Sequence, residues 1–122
     1  MASSPTLSTK TALSRIVDVL KHFAKNRGWR PEDYEILFRV LEQWGKISVL
    51  LIAKDFGGLT NREIWDQVFD YMEKELGQGP DIGFSLGLSV RERNQVEQGG
   101  MYSIPEEYVA VEDLLPSPTL TD

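Results

Sequence analysis

Apolar and polar positions along this chain switch between a helical period and an alternating one, and the switches mark its elements. Leu13, Ile16, Val17, Leu20 and Ala24 recur at three- and four-residue spacing, the stripe of an amphipathic helix. Ser8 to Thr11 offer N-caps, and Asn26-Arg27-Gly28 supplies the cation and glycine that close a helix. Ile47, Val49, Leu50, Leu51 and Ile52 form a short branched run, which predicts a mostly buried strand. Asp55-Phe56-Gly57-Gly58 breaks it, and Thr60-Asn61-Arg62-Glu63 has the spacing of a capping box. A second helix is predicted from there. Ile64, Val68, Met72 and Leu76 form its i, i+4 ladder, widened by Trp65, Phe69 and Tyr71.

Residues 30–45 admit two readings. Pro31-Glu32-Asp33 resembles the acidic first turn of a helix, with Tyr34, Leu37, Phe38 and Leu41 as its stripe. Equally, Tyr34, Ile36, Phe38 and Val40 alternate with their neighbours, and Gln43-Trp44-Gly45-Lys46 suits a hairpin turn into the run at Ile47. The hairpin is preferred, because the strand at 47–53 needs a partner on its edge.

Gly77-Gln78-Gly79-Pro80 ends the second helix. Ile82, Phe84, Leu86 and Leu88 then alternate with Gly83, Ser85, Gly87 and Ser89, which predicts a third strand, parallel to 47–53 through a right-handed crossover. Its small residues leave room for packing or for an incoming backbone or ligand. Ser89-Val90-Arg91-Glu92 has the spacing of a second capping box, so a short helix is expected from there to Gln98, ended by Gly99-Gly100. From Tyr102 onward the periodicity lapses into an acidic segment with three prolines. Residues 1–8 and 102–122 are expected to be tails on a single domain at 9–101; for the second, two readings stand, a segment docked on the domain or on another protein and a disordered solubilising terminus, and deletion of 105–122 is expected to leave the fold intact.

Charge adds one asymmetry. The formal net charge is −6, but residues 105–122 hold five acids and no Lys or Arg, which leaves 14 acids against 13 bases elsewhere. Residues 10–30 carry Lys10, Arg15, Lys21, Lys25, Arg27 and Arg30 against Asp18 alone. The amino end is therefore basic, and Lys21, Lys25, Arg27 and Arg30 are the candidates for contact with nucleic acid or an acidic partner. The N-terminus has no apolar signal segment and no stretch is long enough to span a bilayer, so a cytoplasmic location is expected and no membrane contact.

The chain has no cysteine and one histidine, His22, which sits among basic residues. Thiolate metal sites, cysteine nucleophiles and cysteine-ligated clusters within this chain are excluded. Asp66, Asp70 and Glu73 share a helix at cation-binding spacing, but a solvated helix back accounts for them. Gly57-Gly58 follows a strand and precedes a helix without the GxGxxG spacing or the Lys-Ser/Thr ending of phosphate loops. No cofactor, metal or catalytic residue is expected.

Phe56-Gly57-Gly58 and the ladder Val68, Met72, Leu76 ending near Glu75, with the strand and box at Ile82 to Glu92, resemble the BolA-like family. The resemblance implies a small scaffold with a surface for partners or nucleic acid. The family's Arg-His pair corresponds to Ile64-Trp65 here, and a further family histidine falls near Asp81 or Ile82. The iron-sulfur role associated with those histidines is therefore not carried over. A shared fold alone confers no function.

Together these readings predict an α+β fold in α-β-β-α-β-α order, with a three-stranded mixed sheet packed against two helices. The expected function is a non-enzymatic interaction or adaptor module that binds a protein partner through Trp44, Phe84 and Leu86. Nucleic-acid binding by the basic first helix is the alternative, and homodimerisation through a sheet edge is a further expectation.

Overall fold

A computed structural model describes residues 7–76, 84–100 and 103–110 of the chain. Among them, three helices and a four-stranded mixed sheet form an α+β fold. Helix α1 spans Leu7–Asn26 and strands β1 and β2 span Tyr34–Leu41 and Lys46–Ala53. They are followed by α2 at Asn61–Leu76, β3 at Ser85–Glu92, α3 at Arg93–Gln98 and β4 at Val109–Ala110. The sheet order is β3-β2-β1-β4. β1 is antiparallel to both β2 and β4, and β2 is parallel to β3.

Local chemistry sets the end of α1 and the start of α2. Gly28, at a φ of 84°, closes α1: its N–H donates to Lys25 C=O, and the Trp29 N–H reaches back to Ala24 C=O. These two bonds satisfy carbonyls that the helix itself leaves unpaired. At the start of α2 the Glu63 N–H donates to Thr60 Oγ1 at 3.1 Å, and the Thr60 N–H donates to the Glu63 carboxylate at 2.9 Å. The capping box expected from the sequence is formed, and Ile64, Val68, Met72 and Leu76 are buried.

Both helices pack on one face of the sheet. Ile36 and Phe38 of β1, Ile47, Val49 and Leu51 of β2 and Val90 of β3 meet Leu13, Ile16 and Leu20 of α1 and the α2 ladder in one core. Each such aliphatic side chain contributes about 1.5–3 kcal/mol by leaving water. Residues 31–41 resolve into a single 3-10 turn, Pro31–Asp33, followed by a strand, so the helical alternative is discarded. The Cβ period of two lets Ile36 and Phe38 reach the helices while Leu37 faces away.

Two expectations are corrected. The predicted cap at Ser89 does not form, because residues 85–92 are strand throughout and pair with β2 up to Ala53↔Glu92. An eight-residue parallel ladder that buries Val90 outweighs one local cap, and the Glu92 carboxylate instead accepts the Phe56 N–H at 2.8 Å. α3 starts at Arg93, its N-cap Glu92 lying three residues beyond Ser89, with the Gln95 side chain accepting from the Glu92 N–H.

The sheet also has four strands rather than three. β4 comes from the segment expected to be an irregular tail, and it pairs Ala110 with Leu37 and Val109 with Phe38. On the face away from α1 and α2, Leu37, Leu50 and Ile52 form a second buried cluster under Val96, Tyr108 and Ala110. Three aliphatic side chains on that face would lie in water without this cover. The expectations placed on residues 1–6, the Gly77-to-Pro80 loop, Ile82, and the acidic stretch from Val111 on lie outside the described residues.

Candidate functional site

The β1–β2 connection is a corner where three elements meet. Glu42–Trp44 form one 3-10 turn, closed by the Gly45 N–H donating to Glu42 C=O at 3.0 Å. Gly45 has a φ of 60°, a left-handed conformation that costs an L side chain roughly 1–2 kcal/mol. Two long-range bonds hold the corner in place. The hydroxyl of Thr9, fully buried in the first turn of α1, donates to the Glu42 carboxylate, 33 residues away in sequence. The Ser85 N–H, at the start of β3, donates to Gly45 C=O at 2.8 Å. The corner is tied to α1 and β3, and Trp44 projects from it with 72% of its surface exposed.

The other two predicted partner residues lie near this corner but face differently. Phe84 directly precedes the bonded Ser85, and Leu86 pairs with Ile47. Both are half-buried and pack against the main core on the helix side. They flank the core at an edge strand. The opposite face of β3 carries Ser85, Gly87, Ser89 and Arg91, and a Cβ added at Gly87 would meet Ser48 Oγ at an ordinary 3.6 Å. Trp44 is therefore the one predicted partner residue that offers most of its ring to a partner.

The basic residues of the amino end are not equivalent. Lys21 and Lys25 are exposed. Arg27 donates from Nη1 to Gln67 Oε1 at 2.7 Å and lies 5.5 Å from the centroid of the Trp29 ring. Arg30 pairs loosely with Glu32 at 3.8 Å, with both side chains largely in water. Such pairing contributes little to stability, but it lowers the local positive field. His22 is exposed, with Nδ1 within 2.9 Å of Asp18 C=O. Asp66 pairs with Arg62 at 3.2 Å. Among the described residues no group of three His, Asp or Glu side chains is placed to hold a cation, and no helix is long and apolar enough to cross a membrane.

No family model matches the chain, and neither a curated protein nor a solved structure is significantly similar to it.

Sequence reasoning missed the Thr9–Glu42 tie and the cover supplied by Tyr108 and Ala110. No spacing links Thr9 to Glu42. For Tyr108 there was a faint signal, the unbroken apolar run from Tyr108 to Val111.

Proposed function

We propose that this chain is a small non-enzymatic interaction module that engages a protein partner through the Trp44 corner. The observation that carries this reading is Trp44 itself, an indole 72% exposed on a turn tied to α1 and β3. A large aromatic carried on a backbone turn that is tied at both ends buries much area when a partner covers it, which is why tryptophan is enriched at protein interfaces. Phe84 and Leu86, half-buried against the core, are secondary candidates in the same reading. A cytoplasmic setting and a BolA-like scaffold belong to the same proposal. Neither carries an iron-sulfur role, since Ile64-Trp65 stand where that family's Arg-His pair would be.

Nucleic-acid binding by Lys21, Lys25, Arg27 and Arg30 is the rival reading. It is the weaker one because the chain carries a formal net charge of −6 and Arg27 already donates to Gln67, and phosphate binding depends on the number of cations free to displace counterions.

The test is parallel affinity capture from native lysate with the wild-type chain and with Trp44→Ala, with and without nuclease. Since Trp44 is mostly in solvent, the substitution should leave stability within about 0.5 kcal/mol. The proposal expects a stoichiometric protein that survives nuclease on the wild type and is lost with Trp44→Ala. Partners unchanged by the substitution, or retained only through nucleic acid, would refute it.

A further inference from the structure

The sheet face turned away from α1 and α2 is covered over only part of its area. Side chains on it stand in rows across the strands, set by the register and by the alternation of side chains along each strand. Leu37, Leu50 and Ser89 make one row, and Tyr108, Val96 and Ala110 lie over its apolar members. The next row toward the Trp44 corner is Arg39, Ser48 and Gly87, and the last is Leu41, Lys46 and Ser85. Among the described residues, the buried cluster on this face does not extend over these two rows. The Arg39 row descends from a guanidinium to a hydroxymethyl to a bare Cα, with Ser48 Oγ 3.6 Å from where a Cβ of Gly87 would stand. It forms a shallow floor, walled on the β1 side by Arg39 and by Tyr108, which the β1–β4 register brings alongside it.

The charged positions in the two rows are both cations, Arg39 and Lys46. Arg39 is half-buried, and its Nε is shielded from solvent and meets no acceptor among the described residues. No carboxylate among those residues pairs with it. Glu42, the acid of the neighbouring corner, is turned to the helix side, where it accepts from Thr9. A shielded guanidinium N–H without an acceptor forfeits a charge-assisted hydrogen bond, and a planar carboxylate restores it by accepting two parallel N–H bonds. Lys46, exposed and one row away, adds a second positive charge. A nucleic-acid strand needs a track of several cations. One guanidinium and one ammonium on a chain of net charge −6 suit a single acidic side chain instead.

We propose that this bare half of the outer sheet face binds an acidic side chain, Glu or Asp, presented by an extended segment of a protein partner. Arg39 holds the carboxylate, the Ser48 hydroxyl is a further donor, and Lys46 supplies charge. Gly87 and Ser85 leave room for the backbone of the segment. The proposal rests on the reading of the chain as a protein-binding module, and it names what the partner carries next to the Trp44 corner.

The experiment titrates the 15N-labelled full chain with acetyl-Ala-Glu-Ala-Glu-Ala-amide, with its glutamine counterpart and with a short oligothymidylate. Saturable shifts at the Arg39, Ser48 and Gly87 amides are expected with the glutamate peptide alone. Arg39→Gln should weaken binding about tenfold, the loss of one charge-assisted contact. Lys46→Gln, at an exposed position, should weaken it about threefold and carries the test if Arg39→Gln fails to fold. The peptide has no group large enough to cover an indole, so a lysate capture in which Trp44 proves dispensable removes the corner and leaves this result standing. A failed titration removes the acid site and leaves the corner. Equal shifts with the glutamine peptide, tighter binding of the oligothymidylate, or an unchanged affinity in Arg39→Gln, or in Lys46→Gln where the first variant does not fold, would each overturn the proposal. So would shifts at residues 111–122 in peptide-free Arg39→Gln, which would make the chain's own acidic segment the occupant.

Discussion

Tyr108→Ala probes the feature that most changed the picture of this chain, the covering of the second sheet face. The ring packs with Val96 and Ala110 over Leu37, Leu50 and Ile52, which are 7%, 3% and 1% exposed. A tyrosine buries about 150–250 Å² when fully enclosed, and Tyr108 is only partly so. Taking about 100 Å² of apolar surface returned to water, at about 25 cal/mol per Å², gives roughly 2.5 kcal/mol as an upper value. Unfolded-state compactness brings the expected loss to about 1–2.5 kcal/mol. Val109→Ala is the internal control, because Val109 lies on the same two-residue strand but is 37% exposed. Its loss should stay within about 0.5 kcal/mol. Urea unfolding followed by far-UV circular dichroism reads both, and the midpoint should fall for Tyr108→Ala with an unchanged m-value. If the two variants lose the same stability within about 0.5 kcal/mol, Tyr108 does not cover the cluster and the argument is wrong.

Two further predictions rest on other elements. Thr60→Ala removes the hydroxyl that accepts the Glu63 N–H and should cost about 0.5–2 kcal/mol; a melting curve identical to wild type would mean that the cap contributes nothing. Burial raises the titration of Tyr34 above its usual range. The folded state therefore holds that proton more tightly than the unfolded chain, so this contribution is intact below the ordinary tyrosine pKa and is lost as pH rises through the folded one. Stability of the wild type should fall more steeply above about pH 10 than that of Tyr34→Phe, measured by urea titration at several alkaline pH values, and parallel profiles would contradict it.

The elements that could be read from sequence are those whose signals are local. The α1 stripe, the Thr60–Glu63 box and the α2 ladder each lie within a few residues of the atoms they bond, so spacing alone reports them. The β1–β2 hairpin was legible for a similar reason, since a left-handed glycine at 45 and alternation on both sides specify a turn between neighbouring strands. Of the candidate residues, Trp44 was legible because it occupies that turn.

What the chain alone left open was decided by partners far apart in sequence. Ser89-Val90-Arg91-Glu92 has the spacing of a helix cap, worth about 1 kcal/mol, yet those residues are strand because β2 offers a parallel ladder and the core offers a place for Val90. Tyr108 and Ala110 sit in a stretch with the composition of a solvated tail, yet Ala110 pairs with β1 and both cover a sheet face whose aliphatic side chains lie 56–73 residues earlier. The Thr9–Glu42 tie and the row of Arg39, Ser48 and Gly87 have no local signature at all. Local capping and periodicity are nearest-neighbour energies and can be read along the chain, whereas which face needs covering and which part of it stays bare exist only once distant segments have met.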